Sequence, residues 1–256
     1  MDLSQQQNNP LHSTARPDYE RETRRGIPEV ILAEGKTVEQ TAAITRQFIE
    51  RVGRALISRI RDDIAAEILY SLSDIELNIM KYPEARAMNI MSNSYHPFKT
   101  GGHIGVISAG TSDIPVAEEA CFIAEAMGCR VSRIYDVGVA GVHRLFQPLD
   151  ALIADGVDAI VVAAGMDGAL PSLVAGLSPA PVIGLPSPIG YGLGGQGKAA
   201  LYSMLQSCSP GLTVVNIGNG IGAGSFAALI ANRTAKAIAD RAVRAESVPS
   251  EITNTD

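Results

Sequence analysis

Cys208 lies in the segment LQSCSPGLTVVNIGNGIGAG, between a stretch that reads as a helix and one that reads as a strand. A solitary thiol there is either a small packing residue or a nucleophile, and as a nucleophile it would fix the reaction class as covalent attack on an electrophilic carbon. The two readings stand side by side on composition. The end of the preceding helix disfavours a thiolate through its dipole, whereas the following Ser-Pro-Gly turn is a poor place to bury a packing side chain. Cys121 and Cys129 complete the thiols, and no CxxC spacing links any of the three, which argues against a disulfide framework and a thiolate zinc site.

A second group of residues is built for anions. The loop Ser108-Ala-Gly-Thr-Ser-Asp113 follows a strand and opens the helix IPVAEEACFIAEAM, so that exposed helix N–H groups and three hydroxyls point at one place. The plain alternative is that Ser112 or Asp113 is only an N-cap, but a cap needs one such residue and the loop offers four. His143-Arg144 pairs a proton donor with a bidentate anion clamp, or is simply a solvated surface pair. His12, His96 and His103 have no ligand spacing. A literal GxGxxG at Gly192, Gly194 and Gly197 follows the fourth strand, not the first. It also lacks an acidic residue about 20 positions on, so it reads as a flexible loop and not as a dinucleotide fingerprint.

These residues need a scaffold, and the pattern after Gly102 supplies one. Short apolar runs, IGVIS (104–108), VSRIYDV (131–137), DAIVVAA (158–164), PVIGLP (181–186) and LTVVNI (212–217), alternate with helical segments. Continuous apolar strands with helical crossovers are parallel strands covered on both faces, which predicts a three-layer α/β domain over residues 101–246 with about five parallel strands. In such sheets ligands bind beyond the carboxyl ends of the strands. The loops there, SAGTSD, DVGVAGVHR, AAGMDGALPS, PSPIGYGLGGQG and NIGNGIGAG, are rich in glycine and small polar residues, as a phosphate-bearing ligand approached by backbone requires.

Ahead of this domain, residues 18–100 read as a small, mainly helical domain and linker. Thr37 is an N-cap with Gln40 three residues on; Ile44, Phe48 and Val52 form a stripe that stops at Gly53. A second helix runs from about Asp63 to Leu72, and YPEARAMNIMSNSYHPFKTGG reads as an extended linker. Residues 1–17 and 247–256 read as disordered tails.

The 256 residues carry a net charge of −6 with no basic block, which excludes a nucleic-acid footprint. No apolar run is long enough to span a bilayer, and the N-terminal segment lacks the apolar core of a secretory signal, so the expected location is cytoplasmic.

Taken together, the motifs GVISAGTSDIPVAEEA, RIYDVGVAGVHRL, VVAAGMDGALPSLVAGL, PVIGLPS and LQSCSPGLTVVNIGNGIGAG resemble LarB, the pyridinium-3,5-biscarboxylic acid mononucleotide synthase family of nickel-pincer nucleotide cofactor biosynthesis. RRGIPEVILAEGKTVEQ resembles that family's leader motif, and the likeness spans about residues 18–232. The C-terminal domain is also similar to PurE, the carboxyaminoimidazole ribonucleotide mutase family, so the resemblance implies a flavodoxin-like sheet. Where PurE proteins carry a histidine before Leu-Pro this chain has Ala169, and the PurE loop lacks the Cys208 segment, which favours the LarB-like reading over the mutase.

The resemblance implies a substrate, nicotinic acid adenine dinucleotide, carboxylated at C5 of its pyridinium ring from CO2 or bicarbonate and hydrolysed at its phosphoanhydride to release AMP. It implies Cys208 as the nucleophile, Asp167 as the base where the family has Glu, and His143 beside them. Substrate contacts carry over to Ser108, Gly110, Thr111, Ser112 and Asp113, with Asp136 and Arg144 nearby. Further contacts fall on Gly165, Met166 and Gly168, on Ser187, and on Asn216 and Asn219. Gly218 stands where the family has Asp. Mg²⁺ carried by the substrate phosphates and a homo-octamer are also implied, the apolar helix GAGSFAALIANRTAKAIADRA offering a packing face. A non-catalytic nucleotide-binding module is the alternative of another class.

Overall fold

The computed structural model describes residues 15–246, so the two tails expected at residues 1–17 and 247–256 lie almost wholly outside the described residues. Five parallel strands, β5 (His103–Ser108), β6 (Arg130–Ile134), β7 (Ala159–Ala164), β8 (Val182–Pro186) and β9 (Leu212–Val214), form one sheet in the order β6-β5-β7-β8-β9. This is the flavodoxin-like order, with its switch point between β5 and β7.

Helices α4 (Ile114–Ala126) and α8 (Gly220–Glu246) cover one face of the sheet; α5 (His143–Ala154), α6 (Leu170–Leu177) and α7 (Lys198–Leu205) cover the other. Alternation along the strands divides the core between them. Ile104, Val106, Val161, Ala163, Ile183 and Leu185 point to the α4/α8 side, whereas Ile107, Ile160, Val162 and Val182 point to the α5–α7 side. Both faces are buried, so the strands needed continuous apolar runs.

The N-terminal domain corrects the expectation of a mainly helical unit. Besides α1 (Arg21–Arg25), α2 (Val38–Val52) and α3 (Asp62–Ser71), it holds β1 (Val30–Leu32), β2 (Arg54–Ser58), β3 (Leu77–Tyr82) and β4 (Ala87–Ser92), in a mixed sheet of order β1-β2-β4-β3. The stretch read as a linker contains β4 and the turn that pairs it with β3. Tyr82 opposes Ala87, and Pro83 to Arg86 make the turn, with the Arg86 amide donating to the Pro83 carbonyl at 3.0 Å. The helix signals held: the Thr37 hydroxyl accepts from the Gln40 amide, the Gln40 side chain accepts from the Thr37 amide, and Gly53 ends α2 in a left-handed conformation at φ 77°.

The two domains share one core. Leu56, Tyr82, Ala85 and Ala87 pack with Phe122 and neighbouring residues of α4, and the Tyr82 and Phe122 rings meet edge to face at 5.1 Å. Polar ties reinforce the seam. Buried Arg54 holds the Ala126 carbonyl at 2.6 Å and both carboxylate oxygens of Glu22 at 2.8 and 2.9 Å, while Tyr82 donates to Glu125 at 2.9 Å. Desolvation drives such a seam, and each tie prevents a buried polar group from going unpaired.

Candidate active site

The loops at the carboxyl edge of the parallel sheet interlock. Ser108 Oγ, buried at the end of β5, accepts the Asp136 amide at 3.3 Å, and the Ser187 amide donates to the Ala164 carbonyl at 2.9 Å. Gly165 is required by close approach: a Cβ there would fall 2.4 Å from the Ile189 carbonyl oxygen. The Gly218 amide donates to the Pro186 carbonyl at 2.8 Å. The expectation that these loops gather around one place therefore holds.

Asp113 sits at the switch point on a single 3₁₀ turn, Thr111–Asp113, that feeds α4. Its Oδ2 accepts the Gly110 amide at 2.9 Å, and its buried Oδ1 has no hydrogen-bond partner of good geometry. Burial pushes its pKa up, offset in part by the Gly110 amide, the Ser187 hydroxyl and the Gly165 amide. A buried carboxylate repels phosphate and welcomes a hydroxyl donor, so Asp113 is suited to accept from a hydroxyl, and Thr111 and Ser112 are the exposed uncharged side chains of the same loop.

A cavity of about 470 Å³ opens between the domains above this edge, a size that suits a small organic ligand. Ser112, Ser187 and Gly218 line one wall; Glu34, Arg59, Glu84 and Arg86 of the N-terminal domain line the other, and Glu119 of α4 lies between. Glu119 ties them together, accepting from Ser58 Oγ at 2.6 Å, the Gly220 amide at 3.1 Å and Arg59 Nε at 3.4 Å. Sequence reasoning missed this N-terminal wall. The turn residues Pro83 to Arg86 between two apolar runs were the available hairpin signal.

Five non-glycine residues adopt left-handed backbone among the described residues: Arg59, Arg86, Asp136, Met166 and Gln196. All lie in loops around this edge or in the N-terminal wall, and such conformations persist only where the surroundings dictate them.

Other residues singled out from sequence are placed differently. Asp136 pairs with Arg144 at 2.6 Å, both side chains remaining partly exposed, so these two expected contacts lie together where the loop after β6 meets the start of α5. His143 is exposed on the first turn of α5. Asp167 and Met166 are exposed in the loop after β7, and Gly168 beside them has φ 62° and no room for a side chain, since a Cβ there would meet the Ala200 backbone at 2.6 Å. Asn216 accepts the Ile217 amide and Asn219 the Gly222 amide, both at 2.9 Å, so their side-chain oxygens serve turn and helix start.

Cys208 is exposed and lies outside the cavity, in the segment joining α7 to β9. Serines fasten that segment to α6: Ser172 Oγ donates to Ser207 Oγ at 2.8 Å, and Ser209 Oγ donates to the Ser172 carbonyl at 2.8 Å. Cys208 thus rides beside the first turns of the helix that follows Asp167, and no hydrogen bond joins the two side chains among the described residues. Its exposure in the single chain sets it apart from a core packing residue. The other thiols are the packing residues: burial pushes Cys121 up to about 12 and Cys129 up to about 11.

Among the described residues no three His, Cys, Asp or Glu side chains gather as a metal site, and no helix is long and apolar enough to cross a membrane.

Comparison with known proteins agrees with this architecture. Residues 103–249 match the family model described as AIR carboxylase, and residues 10–92 match one described as LarB/PurE-like N-terminal domain. An uncharacterized protein of Methanocaldococcus jannaschii is 44% identical over 217 residues, covering 84% of this chain and 82% of the relative. N5-carboxyaminoimidazole ribonucleotide mutases of Thermotoga maritima and M. jannaschii are each 31% identical, covering 50% of this chain and 73% and 75% of the relatives. With its parallel-sheet domain matched across more than half of its length, the chain belongs to the AIR carboxylase family and carries a LarB/PurE-like N-terminal domain ahead of that domain.

Proposed function

We propose that this protein carboxylates C5 of the pyridinium ring of nicotinic acid adenine dinucleotide and hydrolyses the phosphoanhydride, giving pyridinium-3,5-biscarboxylic acid mononucleotide and AMP. The observation that carries the reading is an exposed Cys208 in a chain whose mutase-type histidine position is Ala169, the residue that caps the start of α6. A mutase that shuttles protons has no use for that thiol and lacks its proton carrier here.

The chemistry explains the thiol. A pyridinium C5 is not nucleophilic, but addition of the Cys208 thiolate at C4 gives a dihydropyridine enamine whose C5 attacks CO2. The C5 proton then passes to a base, and the C4–S bond breaks with its electron pair returning to sulfur, which restores the aromatic ring. The thiol must leave as readily as it attacks, which suits cysteine and not serine. Asp167, exposed after β7, is the base; His143 is a second proton-transfer group in reach of the same edge.

Ser108, Gly110, Thr111 and Ser112 hold the phosphate or nicotinate carboxylate, and Asp113 accepts from ribose. Gly165, Met166, Gly168 and Ser187 frame the nicotinate half, with Asn216 and Asn219 on the loop after β9. Mg²⁺ fits as an ion carried mainly by the substrate phosphates, since such an ion needs only one or two protein carboxylates; it would neutralise charge on the leaving phosphate. Because Cys208 stands outside the cavity, and α6 and α7 carry the exposed apolar residues Leu177, Tyr202 and Leu205, assembly into a homo-oligomer is the natural means of completing the site. A cytoplasmic location goes with this chemistry.

The mutase reading is favoured by the two mutase relatives and is the alternative. Incubation with nicotinic acid adenine dinucleotide, bicarbonate and Mg²⁺, followed by mass spectrometry, decides between them. A dicarboxylated mononucleotide with AMP supports the proposal. Folded protein that yields neither, or that isomerises carboxyaminoimidazole ribonucleotide, overturns it.

A further inference from the structure

We infer that the N-terminal domain carries a nucleotide subsite of its own, in which Arg86 takes the phosphate and Glu84 the ribose diol of the half of the substrate that leaves as AMP. This rests on the dinucleotide reading above and adds the wall of the cleft that recognises the departing half.

Arg59 and Arg86 both hold left-handed backbone, at φ 55° and 48°, and both face the cavity. One hydrogen bond couples them, the Ile60 amide donating to the Arg86 carbonyl at 2.9 Å. Their guanidinium groups are in opposite conditions. Arg59 is satisfied, by Glu119 at 3.4 Å, Glu34 at 3.2 Å and the Gly218 carbonyl at 2.7 Å. Arg86 has no ion-pair or hydrogen-bond partner for its side chain among the described residues, and neither has Glu84 on the same turn.

Arg59 therefore locks the wall to the rest of the cleft, through a carbonyl of the loop after β9 and a carboxylate of α4. Arg86, an exposed residue, is left presenting a planar, permanently charged donor fork at the cavity wall, a group that binds phosphate bidentately. Glu84, two residues away, is an acceptor-only group matched to a pair of vicinal hydroxyls. Among the described non-glycine residues of this domain only these two arginines hold a backbone conformation that costs folding energy, which marks the turn as kept for a ligand and not for stability.

The test uses the full-length protein and AMP as probe, by titration calorimetry. AMP is expected to bind the wild type at least tenfold tighter than adenosine. Arg86→Gln should erase that difference while leaving binding of nicotinic acid mononucleotide unchanged, and Glu84→Gln should erase the preference for AMP over its 2′,3′-dideoxy analogue. Arg86→Gly separates binding from folding: it relaxes the backbone and should raise Tm, yet lose AMP as the glutamine variant does. AMP binding that equals adenosine binding in the wild type, or that survives in both Arg86 variants, overturns the subsite. If AMP binds through Arg86 but the dinucleotide is never carboxylated, the proposed function fails and the subsite stands. If carboxylation proceeds with an unchanged KM in Arg86→Gln, the subsite fails and the function stands.

Discussion

A Cβ placed on Gly165 would fall 3.1 Å from the unpartnered Oδ1 of Asp113, so the first and third strands of the sheet deliver their loops into direct contact at the switch point. Gly165→Ala would also press against the Ile189 carbonyl, at 2.4 Å. Overpacking of this kind costs about 1–3 kcal/mol, so urea denaturation of the variant should show a loss in that range, with weakened nucleotide binding. Wild-type stability and affinity in the variant would refute the close approach.

The buried Asp113 carboxyl gives a pH signature. Burial raises its pKa above the ordinary 3.8, so between that value and its folded value the native state binds more protons than the unfolded chain. Its contribution to stability therefore falls as pH rises through that window and is restored as pH falls. Asp113→Asn should remove this slope and be at least as stable as wild type at pH 7, while losing ligand affinity. Chemical denaturation across pH 4–7 checks both, and an unchanged slope in the variant would rule the assignment out.

Thiol accessibility separates the three cysteines. With Cys121 and Cys129 buried and their pKa values pushed up to about 12 and 11, iodoacetamide at mild alkaline pH should label Cys208 alone in the native protein and all three thiols in denaturant. Peptide mass mapping reads the result, and early labelling of Cys121 would contradict the core packing.

Substitutions at the reactive groups should affect rate and not stability. Cys208→Ser, at an exposed position, should change stability by no more than about 0.5 kcal/mol while abolishing the covalent adduct and carboxylation. Asp167→Ala should lower the rate by about 10²-fold or more, and Asp167→Glu should retain or raise it. An undiminished rate in Cys208→Ser would end the nucleophile proposal. Mixing inactive Cys208→Ser and Asp167→Ala subunits and recovering activity would place the two residues of one site on different subunits.

The domain seam should fail through Arg54. Arg54→Ala leaves Glu22 and the Ala126 carbonyl without their partner in a buried setting, a loss of about 3 kcal/mol. Thermal unfolding should shift accordingly; a change below about 0.5 kcal/mol would mean that solvent compensates the pair.

What the sequence by itself determined was local. Five apolar runs fixed the parallel sheet, and Thr37, Gln40 and Gly53 fixed both ends of α2, because strand patterning and capping depend on neighbours a few residues apart. It also marked the loops after the strands, whose glycines answer to close approaches such as Gly165 on Ile189. The N-terminal sheet was faint in the sequence, because β3 lies at the sheet edge with exposed side chains and the turn to β4 lacks glycine, leaving the two apolar runs around Pro83 to Arg86 as the only local hairpin signal. Only the tertiary structure decided which groups share an environment: that Asp136 pairs with Arg144, that Cys208 is exposed and outside the cleft, and that Arg59 and Arg86 face Ser112 and Gly218 across a cavity. Such pairings join residues up to 159 positions apart, and at that separation contact is set by the packing of whole elements and not by any periodicity in the chain.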